Sequence, residues 1–302
     1  MACPDPDTRN DDTRNDARTG GPRLQEASGL TGEELEAIAG LERRVVDHDG
    51  GRLKLEWGVL HQRPRTDVND LLVWDGSVLA GFCGIYDFGS QPELAGAVDP
   101  AYRRRGIGTS LLGRALALVA GRGRRTVLLV APRATDAGRR FAEAKGATFD
   151  HAEHHMELDG GRGEPRRQRT SPTEISIRPA TDADRAAVAA ILADGFGEGA
   201  FADDPDLGDL TFVVEHGTAV VGTLRLSIEA QTAGIYGFAV RSDMRGRGIG
   251  RAALYEACLE ARRRGVGTVT LEVDVDNDHA LGLYTSVGFE RRTTEDYFRL
   301  TV

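Results

Sequence analysis

The second half of the chain carries the clearest hydrophobic rhythm. From Ile175, "ISIRPA" alternates apolar and polar positions as a half-buried strand does. "TDADRAAVAAILADG" then changes to helical spacing, with Thr181 and Asp184 spaced as a capping box at its start. "TFVVEH" and "AVVGTLRLSIEA" predict two strands joined by a short glycine-containing turn, hence an antiparallel hairpin. "GIYGFAV" predicts a further strand, which delivers the chain into a glycine-rich loop and a helix from about Gly250 to Arg264. The arginines that close this helix, and Gly265 behind them, suit a helix C-terminus on charge and capping grounds. "TVTLEVDV" predicts a strand, "NDHALGLYTSVG" a short helix and "FERRTTEDYFRL" a closing strand or pair of strands.

The first half repeats this order from "RLQEAS" onward, with Thr31 and Glu34 as its own capping pair. At an offset of 142 (245 minus 103), Arg245 falls on Arg103. Without a gap, Gly248 then falls on Gly106, Ile249 on Ile107, Gly250 on Gly108, Leu254 on Leu112, Gly265 on Gly123, Leu271 on Leu129 and Gly288 on Gly146. The chain reads as one unit duplicated. The predicted fold class is α+β, or mixed α/β, in two tandem domains, each with a mixed, mostly antiparallel central sheet flanked by helices. The expected boundaries are a disordered tail at 1–22, a first domain at 23–158, a linker at 159–173 and a second domain at 174–302. The tail holds five Asp and three Arg with almost nothing apolar, too little to offset the entropy of ordering. The linker is rich in Gly, Pro and Arg.

Composition narrows the function. With 302 residues, 40% hydrophobic and 28% charged, the chain suits a packed, water-soluble protein of two domains. No stretch has the length of a membrane span and the N-terminus lacks the apolar core of a signal peptide, so a cytoplasmic location is expected. A formal charge of -9 argues against nucleic acid or an anionic membrane as partner. Cys3, Cys83 and Cys258 have no metal or redox spacing and read as reduced structural thiols. "HAEHH" (151–155) is dense in His and Glu but lies where the last strand of the first domain is expected, so no metal is expected.

The chemistry concentrates at "RGRGIG" (245–250). A strand, a glycine loop and a helix N-terminus in succession present free backbone N–H groups and the positive end of a helix dipole at one point, which favours an anion. Gly246, Gly248 and Gly250 let the backbone approach phosphate oxygens, and Arg245 and Arg247 add charge. The loop lacks the Lys-Ser/Thr ending of a nucleoside triphosphate loop and the spacing of a dinucleotide fingerprint.

Its Arg-x-x-Gly-x-Gly pattern resembles the coenzyme A pyrophosphate loop of the GNAT acetyltransferase superfamily. Both "RRRGIG" (103–108) and "RGRGIG" match it in full. "LEVDVDNDHALGLYTSVGF" (271–289) is similar to the second signature of that superfamily, with Asn277, Ala280, Tyr284, Gly288 and Phe289 in their usual places. The resemblance implies two central parallel strands that splay apart, here "GIYGFAV" and "TVTLEVDV", with acetyl-CoA as co-substrate lying in the opening. It implies that the loop from Arg245 through Ile249 to Gly250, together with Asn277, binds the coenzyme, and that backbone N–H groups around Val240 hold the carbonyl oxygen and pantetheine arm. Tyr284 would protonate the leaving thiolate. Glu272, on the strand before Asn277, would take the amine proton through water, with Glu229 and Glu215 as rival bases. The acceptor is expected to be a small-molecule or peptide amine, and the protein a monomer or homodimer. The tandem layout also resembles members that acetylate the cysteinyl amine of a thiol precursor.

In the first copy the same offset turns Glu272 into Val130, Asn277 into Thr135, Ala280 into Gly138 and Tyr284 into Ala142. Arg103, Arg105, Gly106 and Gly108 keep the loop. That domain is expected either to hold coenzyme A or only to keep the fold, without transferring acetyl groups. Free α-amines and amino sugars, with reference pKa near 8, lose a proton more readily than lysine at about 10.4, which favours an acceptor of lower basicity. The acidic loop 194–209, with five Asp and one Glu, would receive a cationic acceptor or act as a solvated lid.

Overall fold

The computed structural model describes residues 21–87, 91–159, 165, 174–197 and 210–302. Most of the expected tail, most of the linker and most of the acidic loop lie outside them. In the first half the chain runs β1 (Arg23–Ala27), α1 (Gly32–Asp49), α2 (Trp57–Gln62), β2 (Asp70–Asp75), β3 (Val78–Tyr86), β4 (Glu93–Val98), α3 (Ile107–Gly121), β5 (Thr126–Pro132), α4 (Asp136–Ala144) and β6 (Thr148–Asp159). In the second half it runs β7 (Ile175–Pro179), α5 (Arg185–Phe196), β8 (Thr211–His216), β9 (Ala219–Glu229), β10 (Thr232–Val240), α6 (Ile249–Arg263), β11 (Thr268–Asp274), α7 (Asp278–Val287) and β12 (Glu290–Thr301). "FERRTTEDYFRL" is therefore one strand rather than a pair.

Local chemistry accounts for the helix starts. Glu34 N–H donates to Thr31 Oγ1 at 3.2 Å while Thr31 N–H donates to the Glu34 carboxylate at 2.8 Å, a reciprocal box that satisfies two orphan donors of α1. Thr181 and Asp184 form the same box ahead of α5, and Arg178 donates two hydrogen bonds to the Asp184 carboxylate, holding that carboxyl well below its ordinary pKa. Along β11, buried and half-buried positions alternate strictly, as its sequence requires.

The halves do not keep separate sheets. All twelve described strands form one sheet in the order β1-β2-β3-β4-β5-β12-β6-β11-β10-β9-β8-β7. Because β6 is the repeat counterpart of β12, this order is palindromic, and each half has handed its last strand to the other. β6 pairs antiparallel with β11 of the second half, β12 with β5 of the first, and the two exchanged strands pair with each other at the centre. Side chains follow. Met156 and Leu158 of β6 complete the core formed by α6, α7 and β8–β11, while Phe298 and Leu300 of β12 complete the core under α3 and α4. No described helix is long and apolar enough to cross a membrane.

Candidate active site

β10 and β11 pair in parallel only from Thr232↔Thr268 to Ile235↔Leu271. Past that point β11 continues its pairing with β6 as far as Asp274, while Tyr236–Val240 of β10 have no β11 partner. The strands part, and the backbone groups on their facing edges are open to a ligand. A β-bulge widens the gap: the register of β10 on β9 slips between Tyr236 and Ala239, with Gly237 at φ 56°. Val240 lies at the mouth of this opening, just ahead of the glycine loop.

In the loop, Gly246 and Gly248 both take φ of 76°, and Gly248 N-caps α6 without any side-chain cap. A Cβ at Gly246 would meet nothing within 4 Å, so the loop faces open space beside the free N–H groups of the first helical turn. Gly250 has a different reason: a Cβ there would lie 3.0 Å from Leu283 Cδ1, so it lets α6 sit against α7. Ile249 is buried in the core beneath. Arg245 turns back to donate from Nε to the Val240 carbonyl at 2.8 Å, with Nη2 3.5 Å from the Asp194 carboxylate. Arg247 Nη2 donates to the Asp243 carbonyl at 3.1 Å. The two arginines brace the loop and stay exposed beside the free backbone N–H groups of the first helical turn. An open glycine position, a helix N-terminus and a splayed strand pair fit a diphosphate with an extended arm.

Tyr284 stands on α7, half-buried, packed against the α6–α7 core with its ring 6.2 Å from that of Phe289. Burial pushes its hydroxyl up to about 12, so it stays protonated at neutral pH. Asn277 caps the same helix, its Oδ1 accepting from Ala280 N–H at 3.1 Å. Glu272 is the first β11 residue past the last β10 pair, which puts it at the start of the opening. Its neighbours Leu271 and Val273 point into the core that Tyr284 packs on, so strand alternation aims Glu272 at the opposite face.

On that face Glu272 meets side chains contributed by the first half. Lys54 Nζ lies 2.8 Å from Oε2 and Arg52 Nη1 3.1 Å from Oε1. Burial raises the Glu272 carboxyl, but Lys54 and Arg52 outweigh it and hold the group below its ordinary range. Glu56, 4.0 Å from the Lys54 ammonium, is pushed up to about 7 by burial and by the charge of Glu272. Of the rival bases, Glu229 is paired with His61 of α2, and Glu215 accepts from Arg178 Nε at 2.8 Å. His151, His154 and His155 of "HAEHH" face Asp150, Thr294 and Glu157 respectively. Nothing in the sequence marks Arg52, Lys54 or His61 for this site, because Glu272 and Glu229 lie more than 160 positions away from them and arrive only through the fold.

The first half keeps the loop and a parting of its parallel strands, β4 pairing with β5 only at Glu93↔Leu128 and Leu94↔Leu129, but it lacks the bulge and the polar groups. Gly106 N-caps α3 with φ 86° and open space at its Cβ position, and Arg103 Nε donates to the Val98 carbonyl at 3.2 Å, as Arg245 does to Val240. Arg103 also grips Asp49 with both guanidinium ends, and Arg105 lies over the Tyr102 ring. Gly108 meets Phe141 of α4. However, β4 pairs with β3 in unbroken register, without the bulge of β10, and the Ala142 that replaces Tyr284 is buried. The face corresponding to the Glu272 side is filled with Leu60, Phe82 and Tyr86.

A model of the acetyltransferase (GNAT) family matches residues 34–147 and 181–289, once in each half. The chain belongs to the GNAT family. It is an acyltransferase of tandem GNAT architecture. The mycothiol acetyltransferase of Thermobispora bispora is 29% identical over 88% of this chain and 96% of its own length. That of Streptomyces coelicolor is 28% identical over 96% and 98%. In three dimensions this GNAT protein resembles a GCN5-related N-acetyltransferase from Sphaerobacter thermophilus, with TM-score 0.74, 22% identity and coverage of 92% and 95% of the two chains. It also resembles a tandem GNAT protein from the clavulanic acid biosynthesis pathway, with TM-score 0.67, 19% identity and coverage of 93% and 98%.

Proposed function

We propose that this GNAT enzyme acetylates a primary amine with acetyl-CoA and that the second half performs the transfer. The observation that carries the reading is the bulged, splayed end of β10, which exists in the second half beside Tyr284 and has no bulged counterpart in the first. When bound, the coenzyme supplies the acetyl thioester. Backbone N–H groups of Gly246, Gly248 and the first turn of α6 hold its diphosphate, with Ile249 and Gly250 seating the helix that presents them. The unpaired edge of β10 up to Val240 orients the acetyl carbonyl, and Asn277 keeps the first turn of α7 in place so that Tyr284 faces the sulfur. Tyr284 Oη then gives a proton to the departing thiolate. Glu272, ionised at neutral pH, orders the water that takes the amine proton. In the first half, Arg103, Arg105, Gly106 and Gly108 preserve an anion-binding loop without these groups, so that half transfers nothing.

The acceptor is a free amine of moderate basicity, and the mycothiol acetyltransferase relatives favour a cysteinyl amine on a small molecule. A location in the cytoplasm is consistent with such a substrate. Thiol release from acetyl-CoA by the full chain, measured with S-methylcysteine amide, glucosamine, spermidine and a free N-terminal peptide, tests this. We expect turnover with S-methylcysteine amide and a loss of about 100-fold in kcat for Tyr284→Phe. Undiminished turnover by Tyr284→Phe would move the chemistry elsewhere.

A further inference from the structure

Each oxygen of the Glu272 carboxylate is held by a different cation, and both cations come from the segment between α1 and α2 of the other half. Lys54 is the more constrained. It is 7% exposed, and its ammonium points three ways, to Glu272 Oε2 at 2.8 Å, Tyr297 Oη at 2.5 Å and Glu93 Oε2 at 3.3 Å. An ammonium has three donors, so this set uses all of them. Tyr297 in turn donates to Glu153 at 2.5 Å. The carboxylate so fixed stands at the first position where β11 loses β10 as a partner.

We infer that Lys54 is a positioning residue for the second half's chemistry: it fixes Glu272 as an oriented anion at the β10–β11 opening, so the half that transfers nothing completes the half that does. This rests on the reading that Glu272 receives the amine proton through water. The groups around the pair explain the need for it. Glu153 and His155 of β6, Glu93 of β4, Glu295 and Tyr297 of β12, and Arg52 and Glu56 of the crossing segment all face Lys54 or Glu272. Without Lys54, Glu272 would lie half-buried among Glu56, Glu93, Glu153 and Glu295 with Arg52 as its remaining cation. Desolvation and like charge would then favour the protonated form, which cannot accept a proton. A role confined to stability would lower the melting point without moving any titration.

Two readings on the full chain test this. The first is the pH profile of kcat/KM for S-methylcysteine amide at saturating acetyl-CoA; the second is the titration of the Glu272 carboxyl carbon, assigned by its disappearance in Glu272→Gln, which needs no acceptor. In Lys54→Met the titration of the carboxyl carbon moves up by about one pH unit, and with it the second, steeper break of the acid limb below the acceptor amine's own pKa; Lys54→Arg returns both. Placed in Glu272→Gln, Lys54→Met changes turnover by less than about twofold, since the two act through one group. Should Lys54→Met fail to fold, Arg52→Met, which frees the other oxygen, gives a shift in the same direction. An unmoved titration in a folded variant, with Glu272→Gln impaired, overturns the positioning role alone. Full activity of Glu272→Gln overturns the proposed base, and this inference with it.

Discussion

Glycines 246, 248 and 250 share a motif but answer to different constraints: Gly246 and Gly248 need a left-handed backbone, whereas Gly250 needs room beside Leu283. The part the loop plays can be separated from its strain. Gly246 and Gly265 take φ of 76° and 81°, and a methyl group at either would meet no atom within 4 Å. Alanine at either position costs about 1 kcal/mol of stability through backbone strain. Of the two, Gly246 stands at the proposed diphosphate site. We expect Gly246→Ala to weaken acetyl-CoA binding at least tenfold by calorimetry while Gly265→Ala, equally strained, leaves it alone; equal affinities would remove the loop from coenzyme binding. Tyr284 gives a second prediction at this scale. Its hydroxyl is raised to about 12 by burial, so the neutral acid persists across the whole range in which an amine acceptor becomes deprotonated. The plateau of kcat falls in Tyr284→Phe, and neither limb of the pH profile below about pH 10 moves. An alkaline limb that vanishes with the phenol would show that Tyr284 ionises lower.

Elements explain why the loop and both helix signatures were readable in sequence while half of the site was not. The glycine loop, the Thr31 and Thr181 capping pairs and the alternation of β11 are local: each needs neighbours within a few positions, and the chain supplies them. The isolated glycine in "GIYGFAV" was the available sign of the bulge, since a glycine inside a strand marks one. The residues facing Glu272 have no such signature. "RLKLEW" reads as an ordinary charged connection, and only the crossing of that segment to β11 gives Arg52 and Lys54 their partner. Asn277 shows the two levels meeting. A place in the coenzyme signature was expected of it, and its side chain is also the N-cap of α7, the helix that carries Tyr284. Replacing an Asn cap by Ala costs about 1 kcal/mol. Asn277→Asp, which still accepts from Ala280 N–H, should keep kcat within about twofold, whereas Asn277→Ala should lose about tenfold in kcat by letting the first turn of α7 fray. Equal kcat in the two variants would separate the cap from catalysis.

At the scale of the molecule, the repeat and the strand exchange are one fact. A duplicated unit whose last strand completes its neighbour's sheet is not self-sufficient. Residues 174–302 alone would lose β6, baring the β11 edge and removing Met156 and Leu158 from the core, at about 1.5–3 kcal/mol for each large apolar side chain. In the fragment the side chains that can replace them are Phe298 and Leu300 of a β12, its own folded back onto β11 or that of a second copy. β12 is the repeat counterpart of β6, and in the full chain it already lies beside β6 at the centre of a palindromic order. Two fragments related by a two-fold axis can place each β12 against the other's β11 and regenerate that order, the low-cost exchange by which repeated units form dimers. We therefore expect the isolated second half to behave in multi-angle light scattering as a dimer, or to aggregate through its exposed edge. We expect it to lack the Arg52 and Lys54 partners of Glu272 in either state. A folded monomer of residues 174–302 would show that the second half closes its own sheet, and the dependence of its proposed active site on the first half would have to be abandoned.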